Sequence, residues 1–167
     1  MRKNEAYSVE ITGLTADGAG VARVDGQVVF VPGVIPGERC KIKIDHVGRT
    51  CAYASLVWVE ESSVHRVTPE CESFGKCGGC VFWHMDYACE LEQKRRRVQD
   101  ALSRIGGVDF PDLQITGSEH TYGYRNKVQF PVQVQNGKAV AGFYKAGSHT
   151  VIPITDCKIQ PGVAKTI

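Results

Sequence analysis

The sequence contains no apolar run near the roughly 18 residues that a membrane helix needs, so no helical span and no membrane partner is expected. Its first residues, Met1-Arg-Lys-Asn-Glu-Ala-Tyr-Ser8, are charged but carry no apolar core, which predicts no secretory signal. There is no internal repeat and no low-complexity tract. Neither charge sign dominates: 20 Lys and Arg face 18 Asp and Glu, for a formal net charge of +2. A long-range field for nucleic acid is thereby excluded, and any such site must be a local patch. A dinucleotide cradle is also disfavoured. Asp17-Gly-Ala-Gly-Val-Ala22 offers G-x-G, but no third glycine opens a helix, and the stretch reads as a loop between strands. With 43% hydrophobic and 23% charged residues, the 167-residue chain should fold as one medium domain or two small ones.

Cysteine, by contrast, is plentiful. Seven cysteines without a secretory signal fit a reducing cytoplasm, where metal ligation explains them better than disulfides do. Three fall in Cys71-Glu-Ser-Phe-Gly-Lys-Cys77-Gly-Gly-Cys80, a C-x5-C-G-G-C pattern. Thiolates on one short loop can converge on a soft metal centre. The two glycines let the chain turn tightly and point backbone N–H groups at sulfur. Cys157 is a fourth candidate ligand, far along the chain. Spacing alone leaves two readings open. One is an iron–sulfur cluster held by Cys71, Cys77, Cys80 and Cys157. The other is a structural zinc knuckle closed by His84 or Cys89, although only one C-x2-C unit is present where zinc sites more often use two. Cys40 and Cys51 lie in expected strands and read as small buried hydrophobes, and Cys89 as a spare thiol on a helix.

The chain before residue 61 reads as short strands punctuated by glycine: 7–12, 20–24, 27–31, 39–45 and 50–59. Asp25-Gly26 marks a two-residue hairpin between the second and third. Five strands in about 55 residues predict an all-β, OB-like barrel over 1–60, a fold that binds oligonucleotides on one face. Residues 61–70 are polar and proline-containing and read as a linker. Residues 71–167 then predict an α+β domain with a mainly antiparallel sheet. Its helix starts at the N-cap Asp86, carries Tyr87, Leu91, Val98, Leu102 and Ile105 on one face, and stops at Gly106-Gly107. Strands are expected at 113–116, 127–134, 139–144 and 150–154, with a hairpin turn at Asn136-Gly137. Gln160-Pro-Gly-Val-Ala-Lys-Thr-Ile167 looks like the entrance to a further element, as in a fragment.

Two stretches mix aromatic, amide and cationic side chains in a way that can stack on bases and grip phosphates. The first, 122–127, offers Arg125, Asn126 and Lys127; the second, 142–149, offers Phe143, Lys145 and His149. Lys94-Arg-Arg-Arg97 covers a whole helical turn, so it reads first as a solvated face and only second as a phosphate contact.

In order along the chain, several motifs resemble the RNA (uracil-5-)-methyltransferases. Asp-Gly-Ala-Gly-Val-Ala-Arg and Val-Phe-Val-Pro-Gly-Val-Ile-Pro-Gly-Glu look like a TRAM domain, an RNA-binding barrel. The C-x5-C-G-G-C loop, Tyr87-Ala-Cys-Glu-Leu-Glu-Gln-Lys94, Tyr124-Arg-Asn-Lys127, Gly142-Phe-Tyr144, Ser148-His149 and Cys157 are similar to the family's central domain. The resemblance implies a [4Fe-4S] cluster with Cys157 as the distant ligand. It implies RNA as partner, 23S ribosomal RNA first and transfer RNA for relatives, and not DNA. With such a cluster, four thiolates around a core of about 2+ would bring the chain's net charge to about zero. In that family S-adenosylmethionine and the catalytic cysteine and glutamate belong to a C-terminal domain, for which this chain has no counterpart. No residue here is a catalytic candidate. The chain is expected to be the RNA-recognition part of such an enzyme. The alternatives are a stand-alone binding module or one subunit of a split enzyme with a separate methyltransferase polypeptide. A small electron-transfer protein is a third reading.

Overall fold

The computed structural model describes residues 1–154 and 156–162. Its contacts divide the chain into two units, Met1–Thr68 with His84–Ile115, and Pro69–Trp83 with Thr116–Ile167. The protein is mostly β, with antiparallel sheets and one α-helix among the described residues. No helix among those residues is long and apolar enough to cross a membrane.

The first unit holds six strands: β1 (Ala6–Glu10), β2 (Gly13–Leu14), β3 (Gly20–Val24), β4 (Gln27–Val31), β5 (Arg39–Val47) and β6 (Cys51–Glu61). They order as β1-β5-β6-β4-β3-β2. β1 and β2 are halves of one stretch broken at Ile11-Thr12. The first half pairs with β5 and the second with β3, so the two edges of the sheet are carried by one piece of chain. The backbone N–H of Thr12 donates to Val21 O at 2.8 Å across that junction. β4 and β6 run parallel, and all other pairs in the sheet are antiparallel. Counted this way it is the five-stranded barrel that the sequence predicts.

Period-two alternation builds the interior. Val9, Ala22, Val24, Val29, Val31, Cys40, Ile42, Ile44, Ala52 and Ala54 point inward and are buried. The β3–β4 turn is the expected two-residue hairpin, with Asp25 at φ 51° and Gly26 at φ 80°. Gly20 is required for packing: a Cβ there would lie 2.1 Å from Val34 Cγ2. Cys40 is buried as expected, and burial pushes its thiol up to about 11, helped by the neighbouring Glu38 charge. Cys51 differs from expectation. It lies on the outer face of β6, is only half-buried, and hydrogen-bonds the side chain of Tyr53.

The stretch expected to be a linker is anchored to the barrel. Arg66 Nε and Nη2 donate to the Glu38 carboxylate at 2.5 and 2.6 Å, and Nη2 also donates to Gly33 O at 3.0 Å. Glu38 has no solvent exposure. It also accepts from Ile35 N at 2.8 Å and Ser63 N at 3.3 Å. Burial alone would raise its pKa, but these donors, Arg66 foremost, together hold the carboxyl below its ordinary value.

The helix α1 (Tyr87–Asp100) starts where expected, with the Asp86 carboxylate accepting from Cys89 N at 2.7 Å. A π-helical turn, Ala101–Ile105, continues it to Gly106. By contacts this helix groups with the barrel, whereas the sequence-based division placed it with residues 71–167. The reason is the antiparallel bridge Arg66↔Met85, with Val67 N donating to His84 O and Asp86 N to His65 O. Of the apolar face expected on the helix, Tyr87, Leu91 and Leu102 are half-buried while Val98 and Ile105 face solvent, and the fully buried residue of α1 is Cys89. The charge run is held within unit 1. Lys94 pairs with Glu90, and Arg95 and Arg96 pair with Glu92, whose carboxyl they hold down to about 2. Arg97 donates to Ala16 O.

The second unit carries a three-stranded antiparallel sheet, β7 (Val132–Gln135), β8 (Lys138–Tyr144) and β9 (Val151–Pro153), in that order. Asn136 at φ 52° and Gly137 at φ 76° form the expected hairpin. The strand expected at 127–134 is confined to its last residues and continues to Gln135. That expected at 113–116 is irregular: among the described residues no strand pairs with it, and most of it is exposed.

Candidate metal centre and nucleic-acid surface

The cysteine loop is a series of tight turns. Phe74 N donates to Cys71 O at 3.0 Å, and Cys77 N to Ser73 O at 2.8 Å, with Gly75 at φ 78° between them. The loop is then tied to the end of β8. Cys77 forms a bridge with Lys145, and Gly78 N donates to Tyr144 O at 2.9 Å. A side chain at Gly78 would crowd that contact, since its Cβ would lie 3.1 Å from Tyr144 O and 3.2 Å from Ala146 Cα. Gly79 N donates to Cys77 Sγ at 3.3 Å, an N–H aimed at sulfur as the C-G-G-C spacing suggests.

Cys157 reaches the same place by a different route. Gly123 N donates to Lys158 O at 3.0 Å and Arg125 N to Ile159 O at 2.9 Å, which lays 123–125 beside the segment carrying Cys157. One pocket is lined by Cys71, Cys77, Cys80 and Cys157, together with Arg125 and Phe143. Phe74, Ile154 and Ile159 supply apolar walls. The loop and Cys157, 77 residues apart from Cys80 in sequence, thus face one space. Among the described residues, no three His, Cys, Asp or Glu side chains are gathered tightly enough to hold a single metal ion.

The electrostatics of the pocket follow from that convergence. Burial pushes Cys80 up to about 11; the neighbouring thiols of Cys157, Cys77 and Cys71 add to the shift, and Arg125 opposes it. Cys77 is also raised, by burial first, while the Gly79 N–H and Arg125 pull the other way. Burial thus disfavours the thiolate form of Cys77 and Cys80 unless a positive centre joins them. The donor set of four sulfurs, one aimed N–H and apolar walls suits a soft, multiply charged inorganic group.

The residues expected to contact nucleic acid divide into two sets. Arg125 and Phe143 face the cysteine pocket, and Phe143 packs against Phe130 with ring centroids 5.2 Å apart. Asn126, Lys127, Lys145 and His149 are exposed. His149 meets Tyr144 edge-on at 5.5 Å. Tyr122 donates to Glu70 at 2.8 Å and packs edge-on against Trp83. The sequence reading missed the anchoring role of Arg66, whose partner is 28 residues away. It also did not single out Phe30, Tyr53 and Trp58, aromatic residues of the expected strands 27–31 and 50–59.

The barrel has a known counterpart. Residues 2–57 match the model of the TRAM domain, so the N-terminal unit contains a β domain of TRAM type. Over its full length the chain is homologous to proteins named as RNA methyltransferases. An "uncharacterized RNA methyltransferase" of Clostridium tetani is 39% identical over 167 residues, covering 100% of this chain and 36% of that protein. One of Halalkalibacterium halodurans is 41% identical over 161 residues, covering 96% of this chain and 35% of that protein. The chain therefore spans about a third of the length of the curated relatives it matches. Among solved structures, the Pyrococcus abyssi tRNA (uracil-54, C5)-methyltransferase in complex with S-adenosyl-L-homocysteine shares the fold. Its TM-score is 0.66 at 24% identity, over 95% of this chain and 34% of that one.

Proposed function

We propose that this chain is the RNA-recognition part of an S-adenosylmethionine-dependent RNA (uracil-5-)-methyltransferase, with 23S ribosomal RNA as substrate. The single observation that carries the reading is the pairing of a TRAM-type barrel with a pocket lined by Cys71, Cys77, Cys80 and Cys157 in one chain. We assign the four cysteines to a [4Fe-4S] cluster. A lone tetrahedral zinc, with Zn–S near 2.3 Å, needs four sulfurs drawn to one point. A four-iron core instead takes each sulfur at a separate iron. Four cysteines lining one pocket, with the Gly79 N–H aimed at Cys77 Sγ, are the support for the second choice.

When bound, the cluster supplies a rigid, positively charged nucleus to which four thiolates attach. This chain's own residues do the rest. Gly79 N–H stabilises the Cys77 sulfur, and Arg125 places a guanidinium beside the thiols. Closing a loop of about 80 residues through the pocket removes chain entropy from the unfolded state. Asn126, Lys127, Lys145 and His149 remain exposed for the substrate RNA. The target uridine must leave its stack to be methylated, at some unpairing cost. S-adenosylmethionine and the groups that attack and deprotonate the base belong to the part of the enzyme outside this sequence. No residue of this chain is assigned a catalytic role.

The test is direct binding of the purified chain to fragments of 23S ribosomal RNA across a salt series. The expected result is binding whose log affinity falls linearly with log salt. Failure to bind at low salt contradicts the reading. Binding that appears only after a separate methyltransferase polypeptide is added favours one subunit of a split enzyme.

A further inference from the structure

The barrel carries a second feature, on its outer face. β4, β6 and β5 lie side by side, and the residues between their buried positions point outward. Across the three strands, Phe30, Tyr53 and His46 form a row: Phe30 pairs with Tyr53, and Tyr53 with His46. The Phe30 and Tyr53 rings are 5.7 Å apart at 43°, and the His46 and Tyr53 rings 6.4 Å apart at 35°. Tyr53 is thus held between two rings, yet it is 51% exposed. Further along β6, Trp58 is 54% exposed and pairs with Lys41, while Lys43 pairs with Ser55 between the two aromatic positions. Two acidic groups of these strands are hydrogen-bonded by serine hydroxyls. Asp45 accepts from Ser55 Oγ; Glu60 accepts from Ser8 Oγ and lies 4.0 Å from Arg39.

This pattern selects its occupant. An apolar protein partner would want a continuous greasy patch, and lysine is depleted from the centres of such interfaces. Here Lys43 stands between the two aromatic positions and Lys41 beside Trp58, where the phosphates of stacked bases would lie. A duplex buries the faces of its bases in the stack, so exposed rings can engage only splayed ones. Five positions along β6 put Tyr53 and Trp58 roughly 15 Å apart. That is room for a few stacked nucleotides at about 3.4 Å each.

We propose that the outer face of β4, β6 and β5 is a stacking platform for unpaired RNA, with Tyr53 and Trp58 under bases and Lys41 and Lys43 on the adjoining phosphates. It rests on the RNA-binding reading above and adds the substrate class: single-stranded segments, gripped by the barrel itself.

The test uses the whole chain with a short single-stranded RNA and the same sequence annealed to its complement. The wild-type chain should bind the single strand at least tenfold more tightly than the duplex. Tyr53→Ala and Trp58→Ala should each weaken single-strand binding about tenfold or more. The Lys41→Gln/Lys43→Gln pair should reduce the slope of log affinity against log salt by about 1.4. Circular dichroism of these surface variants should match the wild type. If the chain binds RNA but the aromatic variants bind like wild type, the platform is overturned while the RNA reading stands. If it binds no RNA of either form, both fall. Self-association abolished by Trp58→Ala, with RNA binding unchanged, would make the face a protein interface and overturn the platform.

Discussion

Replacing Arg66 with methionine tests how the barrel is held. The change keeps most of the apolar stem but deletes the guanidinium, which makes two hydrogen bonds to Glu38 and one to Gly33 O. Glu38 remains without solvent exposure, with only the Ile35 and Ser63 N–H groups as donors. Breaking a buried ion pair from one side costs about 3–5 kcal/mol. Arg66 is 22% exposed, so the lower end applies, about 3 kcal/mol. For a unit of about 100 residues this lowers the melting temperature by about 12–15 °C. The pH dependence has a definite sign. In the wild type the Glu38 pKa lies below its ordinary 4.5, so its stabilisation is complete above that value and is lost as pH falls through the folded pKa. In the variant, burial without the guanidinium raises the pKa. The penalty is then present at neutral pH and is relieved as acid protonates the carboxyl. The gap between the two proteins should therefore narrow below about pH 5. Urea unfolding, with hydrogen exchange of β5 amides as the reporter of unit 1, measures both. Equal stability at pH 7, or a gap that widens in acid, refutes the reasoning. The double variant Glu38→Gln/Arg66→Met should recover part of the loss, because no charge is left buried.

Other outcomes follow from the packing. Gly20→Ala should destabilise the barrel by about 1–3 kcal/mol in thermal unfolding, because its Cβ would meet Val34 Cγ2 and Val31 O. Gly142→Ala should separate β8 from β9, since the Cβ would stand 1.9 Å from Ile152 O; faster amide exchange in β9 checks it. Asp86→Ala removes the cap of α1 and the partner of His65, and should cost about 1 kcal/mol by urea unfolding, with earlier fraying of Tyr87–Glu90 in hydrogen exchange.

Short-range chemistry was readable in the sequence. Alternation located the barrel strands, and Asp25-Gly26 and Asn136-Gly137 located two hairpins, because positive φ has a residue signature. The Asp86 cap was equally visible, since it acts on an N–H three residues away. Pairing over distance was not. Residues 113–116 alternate like a strand but pair with no strand among the described residues, and alternation carries no information about partners. Arg66 sat in a polar, proline-containing stretch, and nothing local announces a carboxylate 28 residues earlier. Cys51 was grouped with Cys40 by residue type, but the two fall on opposite faces of their strands. At the candidate site the C-G-G-C turn was legible, whereas the turn of Arg125 toward the thiols depends on backbone pairing of 123–125 with 158–159.

The measurement that bears most directly on the account is metal analysis of the chain purified without oxygen. We expect a brown protein with about four iron atoms per chain, and a Cys157→Ser variant that loses most of the iron and the colour. About one zinc and no iron per chain, or iron retained in full without Cys157, would contradict the assignment.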